Sequence, residues 1–253
     1  MMPMIEFRDV SYDVAGARVL SGFDLQVQSG EILVLLGRSG SGKTTALKLV
    51  NRLRSPTSGK ILVKGVPNEE LDIIRLRRSI GYVIQDVGLF PHFTVEKNIG
   101  LVPRIEGWPE DRIRLRVQEL LQMVGMAPQA ASRYPHQLSG GQRQRVGVAR
   151  ALAADPEMLL MDEPFGALDP LTRGELQSEF LSLQKQLAKT VVFVTHDLRE
   201  AVRLGSRIAL LDAGRLVTVL PPAEFLRSAD PLVSAYVRAF DDAVVPNTNR
   251  GAT

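Results

Sequence analysis

The amino-terminal part of the chain alternates short apolar runs with turn residues. Such segments are typical of β-strands when turn chemistry separates them. Turn pairs stand at Ala15-Gly16, Ser29-Gly30 and Ser58-Gly59. The pattern predicts an early β-rich region with strands at residues 5–10, 23–27, 31–36 and 61–63.

From about residue 71 onward, helical spacing of apolar residues alternates with further apolar strands. Strands that alternate with helices predict parallel pairing through helical crossovers. Leu176, Phe180, Leu183 and Leu187 repeat at i, i+4, i+7 and i+11, which predicts one helical face for core packing. The later strands are predicted at residues 80–84, 158–161, 191–194 and 208–211.

The segment 71–153 is mostly helical in pattern, with clear periods over 110–124 and 142–153. We expect it to form a helical insertion that precedes the strand at 158–161. A short helical stretch covers 232–240. Residues 241–253 are polar and rich in turn residues, and we expect this tail to be disordered.

The composition is that of a globular protein with little net charge. The 253 residues are 45% hydrophobic, enough for a large packed α/β domain. With 31 basic and 28 acidic residues, the net charge of +3 is too weak to predict nucleic-acid binding. Arginines at helical spacing are expected on solvated helix faces. They are Arg75, Arg77, Arg78, Arg143, Arg145 and Arg150.

The chain contains no cysteine, which excludes disulfides, thiolate metal sites and cysteine nucleophiles and fits a reducing cytosol. Its first ten residues lack the basic region and apolar stretch of a secretory signal. No apolar run approaches the roughly 18–20 residues that span a bilayer. Any membrane role is therefore expected to be peripheral.

A glycine-rich segment follows the apolar run 32–36 and opens a helical stretch at 44–53. It fits G-x-x-x-x-G-K-[ST] in the strand, loop and helix context of a phosphate-binding loop. Glycines let successive N–H groups point at phosphate oxygens, and the helix presents its positive end to the same anion. The chain is therefore predicted to bind a nucleoside triphosphate. The segment reads Gly37-Arg38-Ser39-Gly40-Ser41-Gly42-Lys43-Thr44.

Side chains in and after this loop suit nucleotide chemistry. Lys43 is expected to bridge the β- and γ-phosphates, and the Thr44 hydroxyl to coordinate Mg²⁺. Asp162 and Glu163 end the apolar strand 158–161 and point to opposite faces. Asp162 suits Mg²⁺ coordination, directly or through water, and Glu163 suits polarising the water that attacks the γ-phosphate.

A second anion-binding pattern precedes the helical stretch 142–153. A hydroxyl and two glycines at a helix start bring backbone N–H groups and the helix dipole to a phosphate. A serine N-cap followed by flexible glycines is the alternative interpretation. The residues are Leu138-Ser139-Gly140-Gly141-Gln142.

These motifs, in this order, resemble those of the ATP-binding subunits of ABC transporters, and they cover residues from about 5 to 226. The resemblance implies an α/β fold of the P-loop NTPase class and ABC type. It implies a mainly parallel core sheet, an antiparallel β subdomain and a helical subdomain, and it implies an ATP hydrolase that uses ATP and Mg²⁺. The motifs are Walker A at 37–44, Gln85 in a Q-loop, the LSGGQ signature at 138–142, Walker B at 158–162 followed by Glu163, the D-loop Ala167-Leu168-Asp169, and His196.

The resemblance further implies a head-to-tail homodimer with two ATP molecules between the chains. Gln85 would contact Mg²⁺ and the attacking water, His196 the γ-phosphate, and Asp169 the other half of the dimer. Glu163, His196 and Gln85 are thus expected to be catalytic, and Thr44, Gln85 and Asp162 to hold the metal. The implied nucleotide contacts are Tyr12, Gly37, Ser39, Gly40, Ser41, Gly42, Lys43, Thr44, Thr45, Ser139, Gly140, Gly141, Gln142 and Asp169.

Tyr12 enters this set because an aromatic residue upstream of Walker A usually stacks on adenine in the family. It is the nearest candidate, although the loop 13–17 leaves its register open. Ordinary packing at a strand end is the alternative.

The sequence after Gln85 resembles that of the ATPases of bacterial quaternary-amine importers, which carry glycine betaine, choline, carnitine or proline. This implies a peripheral subunit at the cytoplasmic face of the cell membrane, bound to an integral permease and served indirectly by an extracytoplasmic substrate-binding protein. Phe90, Pro91 and Phe93 are expected to line the permease groove, with buried loop anchors as the alternative. The rival functions are the ATPase of another ABC system, for a lipid or other solute, and a soluble ABC ATPase that works on DNA or ribosomes. A transporter subunit predicts co-purification with an integral permease, whereas the soluble rival predicts ATPase activity stimulated by nucleic acid. We expect co-purification with a permease and no nucleic-acid partner.

We expect an ABC ATPase domain over residues 1–228, with a helical subdomain at about 86–154, and a short helix and tail over 229–253. Many quaternary-amine import ATPases carry a paired CBS-type regulatory domain after the ATPase. Residues 227–253 fall below the roughly 40 residues that hold an unstapled core. Ionic strength is therefore not expected to act through a domain of this chain's own.

Overall fold

The computed structural model describes residues 2–85 and 87–244. Within them the strands form two sheets, one of four strands and one of six. The strands are β1 (Ile5–Val14), β2 (Ala17–Val27), β3 (Ile32–Leu36), β4 (Ser58–Val63), β5 (Val66–Pro67), β6 (Ile80–Val83), β7 (Met158–Asp162), β8 (Thr190–Thr195), β9 (Arg207–Asp212) and β10 (Arg215–Leu220).

The helices surround the larger sheet. None of those in the described residues has both the length and the apolar composition that a bilayer crossing requires. Two short 3₁₀ helices, Pro128–Ser132 and Pro135–Gln137, precede α6. The α-helices are α1 (Lys43–Val50), α2 (Ile73–Arg78), α3 (Val95–Ile99), α4 (Leu101–Ile105), α5 (Glu110–Met123), α6 (Gly140–Leu152), α7 (Pro170–Leu187), α8 (Leu198–Leu204), α9 (Pro222–Phe225) and α10 (Pro231–Val244).

The larger sheet has the order β10-β9-β3-β8-β7-β6. Its strands pair in parallel from β9 to β6, and β10 joins β9 antiparallel at one edge. Parallel strands end at the same edge of a sheet, where α/β proteins bind ligands. The residues that follow β3, β7 and β8 therefore meet there. The smaller sheet, β2-β1-β4-β5, is antiparallel throughout.

Two apolar cores cover the two faces of the larger sheet. Along β3, Ile32, Val34 and Leu36 face the core shared with the helical segment, whereas Leu33 and Leu35 face the core under the smaller sheet. This alternation is the period of a strand that is buried on both sides. On α7, the residues at i, i+4 and i+7 of the predicted face, beginning at Leu176, are buried in the first core, so core packing there is confirmed.

Some elements differ from the sequence-based expectation. β1 and β2 are longer than predicted and meet directly at the turn Ala15-Gly16. β10 was not predicted. α10 continues to Val244, so the expected disorder is wrong for residues 241–244, and residues 245–253 lie outside the described part. The division at 86–154 and 228 stays a prediction.

The expectation that the clustered arginines are solvated is wrong for Arg145 and Arg150, which are half-buried. Arg77 stays exposed, although it also donates to the carbonyls of Asn51 and Arg52 beyond α1. Arg145 donates to the carbonyl of Val124 and pairs with Glu179. These guanidinium groups bind other elements of the same chain, because a helix position alone does not reveal which backbone groups face it.

Candidate active site

The phosphate loop connects β3 to α1 through backbone that suits glycine. A Cβ at Gly37 would lie 2.4 Å from the carbonyl oxygen of Leu211, so no side chain fits there. Gly42, the N-cap of α1, has φ of 103°, in the left-handed region that favours glycine. Within the described residues no side chain caps the start of α1. Its first N–H groups are thus available to an anion.

Lys43 is folded onto this loop. Its side chain is buried, and Nζ donates to the carbonyl oxygens of Gly37, at 2.8 Å, and Arg38, at 2.7 Å. Burial lowers the pKa of the ammonium, against the opposing effect of Glu163 and Asp162. Charged phosphate oxygens are stronger acceptors than these neutral carbonyls. The ammonium is therefore positioned for exchange from loop carbonyls to a phosphate.

Thr44 and Asp162 meet at the edge of the sheet. Thr44 Oγ1 donates to Asp162 Oδ1 over 2.8 Å, which joins the start of α1 to the end of β7. Burial raises the pKa of the Asp162 carboxyl, partly offset by this hydrogen bond. Hydroxyl and carboxylate oxygens are ligands that Mg²⁺ accepts, and Mg²⁺ usually keeps phosphate oxygens and water as further ligands. The pair fits such an ion.

Glu163 follows in a strained backbone conformation, with φ of 44°. Its N–H donates to the carbonyl of Val194 at the end of β8. Its carboxylate Oε2 lies 3.1 Å from Nδ1 of His196, a side chain that is 57% exposed. The structure therefore brings two predicted catalytic residues together at the surface, where the carboxylate can polarise a water molecule.

A buried carboxylate that the sequence analysis missed supports the His196 loop. Glu200, on α8, accepts a hydrogen bond from the Thr195 hydroxyl at 2.6 Å and one from Gln177 Nε2 at 3.1 Å. Burial raises its pKa. The sequence could have indicated a buried carboxylate here, because Glu200 stands beside the apolar positions Leu198 and Ala201 on one helix.

The signature residues cap α6. Ser139 Oγ accepts from the N–H of Gln142, and Gln142 Oε1 accepts from the N–H of Ser139. This reciprocal capping box is the N-cap geometry of the alternative interpretation. The cleft beside it, about 560 Å³, is lined by Ser139, Gly141, Gln142 and neighbours from α7, and by none of the phosphate-loop residues. The two predicted anion sites are thus separate on one chain.

The other predicted site residues lie on distinct elements. Asp169 caps α7 by accepting from the N–H groups of Leu171 and Thr172. Gln85 is exposed in the turn after β6. Tyr12 lies in β1 opposite Leu20, half-buried against the core under the smaller sheet. Of the remaining loop residues, Ser39 and Gly40 are exposed, Ser41 is buried, Gly140 is exposed and Thr45 is half-buried. Their nucleotide contacts stay predictions.

Comparison with known proteins gives a consistent family. The family model described as ABC transporter matches residues 20–166. The glycine betaine/carnitine/choline transport ATP-binding protein OpuCA of Bacillus subtilis is 52% identical over 88% of this chain and 59% of its own length. The osmoprotectant import ATP-binding protein OsmV of Salmonella typhimurium is 50% identical over 87% of this chain and 58% of its own. The chain thus spans about three-fifths of the length of these relatives.

Solved structures agree with the sequence matches. A dimeric ATP-binding cassette in a post-hydrolysis state with ADP and phosphate aligns with a TM-score of 0.78 at 33% identity, over 87% of this chain and 99% of its own. A subunit of an ABC transporter complex from Clostridium perfringens aligns at 0.84 and 28% identity, over 97% of this chain and 100% of its own.

These similarities bear on the expectations from the motifs. The predicted fold, an α/β P-loop NTPase of the ABC type, is confirmed, and so is the predicted class of ATPase with an ATP site. The family model covers more than half of the chain, and the relatives far exceed 30% identity. The chain belongs to the ABC transporter ATP-binding family.

Proposed function

We propose that this chain is the ATP-hydrolysing subunit that powers import of a quaternary-amine osmoprotectant through a separate membrane permease. The observation that carries the proposal is about 50% identity, over nearly nine-tenths of the chain, to proteins described as import ATP-binding subunits for glycine betaine, carnitine, choline or osmoprotectants. The chemistry of the site supports the ATPase part independently.

ATP binding rests on the phosphate loop. The N–H groups at the start of α1 receive phosphate oxygens, while Lys43 turns from the carbonyls of Gly37 and Arg38 to the β- and γ-phosphates. Thr44 and Asp162 hold Mg²⁺, which shields the phosphate charge when bound. Gln85 is proposed to complete this side of the site from the turn after β6.

Hydrolysis rests on Glu163. Its carboxylate polarises the attacking water, and the neighbouring imidazole of His196, at 3.1 Å, keeps the carboxylate oriented and reaches the γ-phosphate. Glu200 and Thr195 hold the His196 loop in place from the buried side. Glu163 therefore acts on the water, and His196, Thr195 and Glu200 position Glu163.

A second copy of the chain supplies the signature. Ser139 and Gly141 line a cleft that lacks the phosphate loop, so an ATP that needs both must lie between two chains. The dimeric cassette among the structural relatives supports this arrangement. Asp169, exposed at the start of α7, is proposed to contact the other subunit.

The permease contact is proposed at the loop before α3. Phe90 is 41% exposed, and its ring packs 5.2 Å from that of Phe93 and 6.2 Å from that of His92. An exposed aromatic group favours a partner surface over a buried anchor. The chain would thereby lie peripherally at the cytoplasmic face of the cell membrane, with the substrate-binding protein acting on the permease from outside.

The direct test combines co-purification with uptake. The tagged chain is expressed with the membrane proteins encoded beside it, and the complex is reconstituted with labelled glycine betaine, choline and carnitine. We expect an integral permease to co-purify and uptake to require ATP. Glu163→Gln is the matched variant, since an amide is too weak a base to activate water. It should retain nucleotide binding and the permease while ATP-driven uptake is lost.

Two outcomes would contradict the proposal. Uptake of another solute in place of the amines would assign a different substrate class. ATPase activity stimulated by DNA or ribosomes, with no permease recovered, would favour the soluble rival.

A further inference from the structure

The segment that begins at Val87, two residues after Gln85, is bound to α6, the helix that starts at the signature and is called the signature helix below. Val87 and Gly88 both have left-handed backbone, with φ of 33° and 56°. Their carbonyl oxygens accept from one guanidinium, since Arg150 Nη2 donates to Val87 at 2.6 Å and Nη1 to Gly88 at 2.7 Å. A planar fork of donors that meets two adjacent carbonyls fixes both position and direction.

A notch in the same helix receives the side chain of Val87. Gly147 lies one turn before Arg150 on α6, and a Cβ there would come within 2.6 Å of Val87 Cγ1. Glycine is otherwise a poor choice inside a helix. The absence of a side chain at 147 therefore lets Val87 approach the backbone of α6.

The continuation of this segment is fixed just as firmly. Asn98, on α3, is fully buried and accepts from the N–H of Phe90 at 2.8 Å. Its Nδ2 donates to the carbonyls of Phe90, Phe93 and Thr94. Since α3 also packs against α6, the loop 87–94 is held at both ends by the helical segment.

The other end of α6 is the signature. Ser139 caps the helix and stands eleven residues before Arg150, a rise of about 16 Å along one rigid helix. We propose that Arg150 is a positioning residue that fastens the loop 87–94 to the signature helix, so that the loop and Ser139 move as one body. The inference deepens the proposed function, in which Phe90 and Phe93 face the permease and Ser139 faces the ATP of the other subunit.

The loop 87–94 is thereby connected to the signature through α6, and not through the phosphate loop of the same chain. A displacement of the aromatic loop by the permease would move α6 and hence the signature in the composite site. The reverse also holds, because a coupling between two sites is reciprocal in free energy. Loss of the Arg150 fork would leave both ends intact and weaken their connection at Val87 and Gly88, while Asn98 still binds the far end of the loop.

Hydrogen exchange of the purified chain tests the attachment. In Arg150→Gln, the amides of Phe90 and Phe93 are expected to exchange at least about tenfold faster, since the loop opens locally more often. Arg116→Gln is the matched control, because Arg116 on α5 donates to the carbonyls of Leu152 and Ala153 without contacting the loop. Exchange in Arg150→Gln equal to that of the parent would overturn the proposal.

A compensating pair tests the notch. Gly147→Ala places a methyl group where Val87 lies and keeps the guanidinium. Alanine favours the helix, so faster exchange of the loop in this variant would report displacement and not weakening of α6. Adding Val87→Ala removes the clashing methyl groups and should bring exchange back to within about twofold of the parent. Failure of this rescue would contradict the packing on which the proposal rests.

The coupling itself is measured in the complex with the co-purified permease. For isolated Arg150→Gln, kcat and KM are expected to stay within about twofold of the parent. Stimulation of the ATPase by the permease is expected to fall at least about fivefold. Arg150→Lys, which keeps one charged donor, should restore part of the stimulation. Full stimulation in Arg150→Gln would overturn the proposal. No stimulation in the parent would contradict the proposed function instead, and the exchange measurements would then decide the attachment by themselves.

Discussion

At the scale of single residues, Lys43 carries the largest predicted effect on nucleotide affinity. Its ammonium has its hydrogen bonds to the loop carbonyls of Gly37 and Arg38 and is free to exchange them for phosphate oxygens. We expect Lys43→Ala to weaken ATP binding about 10- to 100-fold, the value of one hydrogen bond between charged groups. Titration with a fluorescent ATP analogue measures this. Lys60→Ala, an exposed lysine on β4, is the control, and parent-like affinity in Lys43→Ala would contradict the assignment.

Glu200 gives a prediction about pH at the same scale. Burial raises the pKa of its carboxyl above the ordinary value of 4.5. At a pH between the ordinary pKa of the unfolded chain and the raised pKa of the folded chain, the folded chain binds more protons. The contribution of Glu200 to the free energy of unfolding therefore falls as the pH rises through this range. Glu200→Gln removes the titration and keeps an oxygen for the Thr195 hydroxyl. The Tm of the variant relative to the parent should therefore increase as pH rises from acid to neutral.

Scanning calorimetry across that pH range makes the comparison. Glu224→Gln, an exposed carboxylate on α9, is the control for adding an amide at the surface. A Tm difference between Glu200→Gln and the parent that stays constant with pH would show that burial does not govern this carboxyl. Asp162, whose pKa is also raised, contributes equally to both proteins and cancels in the difference.

At the scale of elements, short-range patterns were enough to predict what precedes and follows each strand. The apolar run of β3 and the glycines after it lie within one stretch of chain, so the phosphate loop was predicted with its helix. β10 was missed because its residues are mostly half-exposed and Thr218 interrupts its apolar positions. α10 was cut short because polar residues at 241 and 242 suggested a tail, whereas the backbone remains helical there.

Contacts between distant elements could not be predicted from the sequence. Glu163 and His196 are 33 residues apart, and only the resemblance to a family suggested that both act at one site. Arg150 and Val87 are 63 residues apart, and the position of Arg150 on a helix indicated a solvated face. Spacing along a helix gives a direction, but the neighbour in that direction depends on how the elements pack.

Asn98 provides a prediction for the loop before α3. Asn98→Ala would leave the N–H of Phe90 and the carbonyl of Phe93 without their side-chain partner, so we expect a loss of about 1–3 kcal/mol in the free energy of unfolding. Urea denaturation measures it. Asn68→Ala is a matched comparison, because Asn68 is also buried but donates to only two carbonyls, of Leu49 and Val50. A larger loss in Asn68→Ala would argue against a loop fixed by Asn98.

At the scale of the whole molecule, the phosphate loop and the signature of one chain lie on different surfaces. The phosphate loop lies at the carboxyl edge of the larger sheet, and the signature lines a separate cleft with residues of α7. In the proposed head-to-tail dimer, each phosphate loop would meet the signature of the other chain. This arrangement makes a prediction that depends on which chain carries which defect.

A mixed dimer tests the geometry. One chain carries Ser139→Arg, which obstructs closure over the ATP of its partner, and the other carries Lys43→Ala. If each ATP lies between two chains, both defects fall in one composite site and the other site is complete. We expect turnover of up to about half that of the parent dimer if the two sites work independently. Two affinity tags isolate the mixed species, and homodimers of either variant should be nearly inactive.

The matched control places both substitutions in one chain and pairs it with a parent chain. The number of altered residues per dimer is unchanged, but each composite site now holds one defect, so turnover should fall below about a tenth of the parent value. If instead each chain used its own phosphate loop and its own signature, the parent chain would keep a complete site in this control, and the first mixed dimer would be the inactive one. If the sites are shared between chains, the first mixed dimer is the more active of the two. If each chain forms its own site, the control dimer is the more active. The dimer with the higher turnover therefore decides how the chains pair.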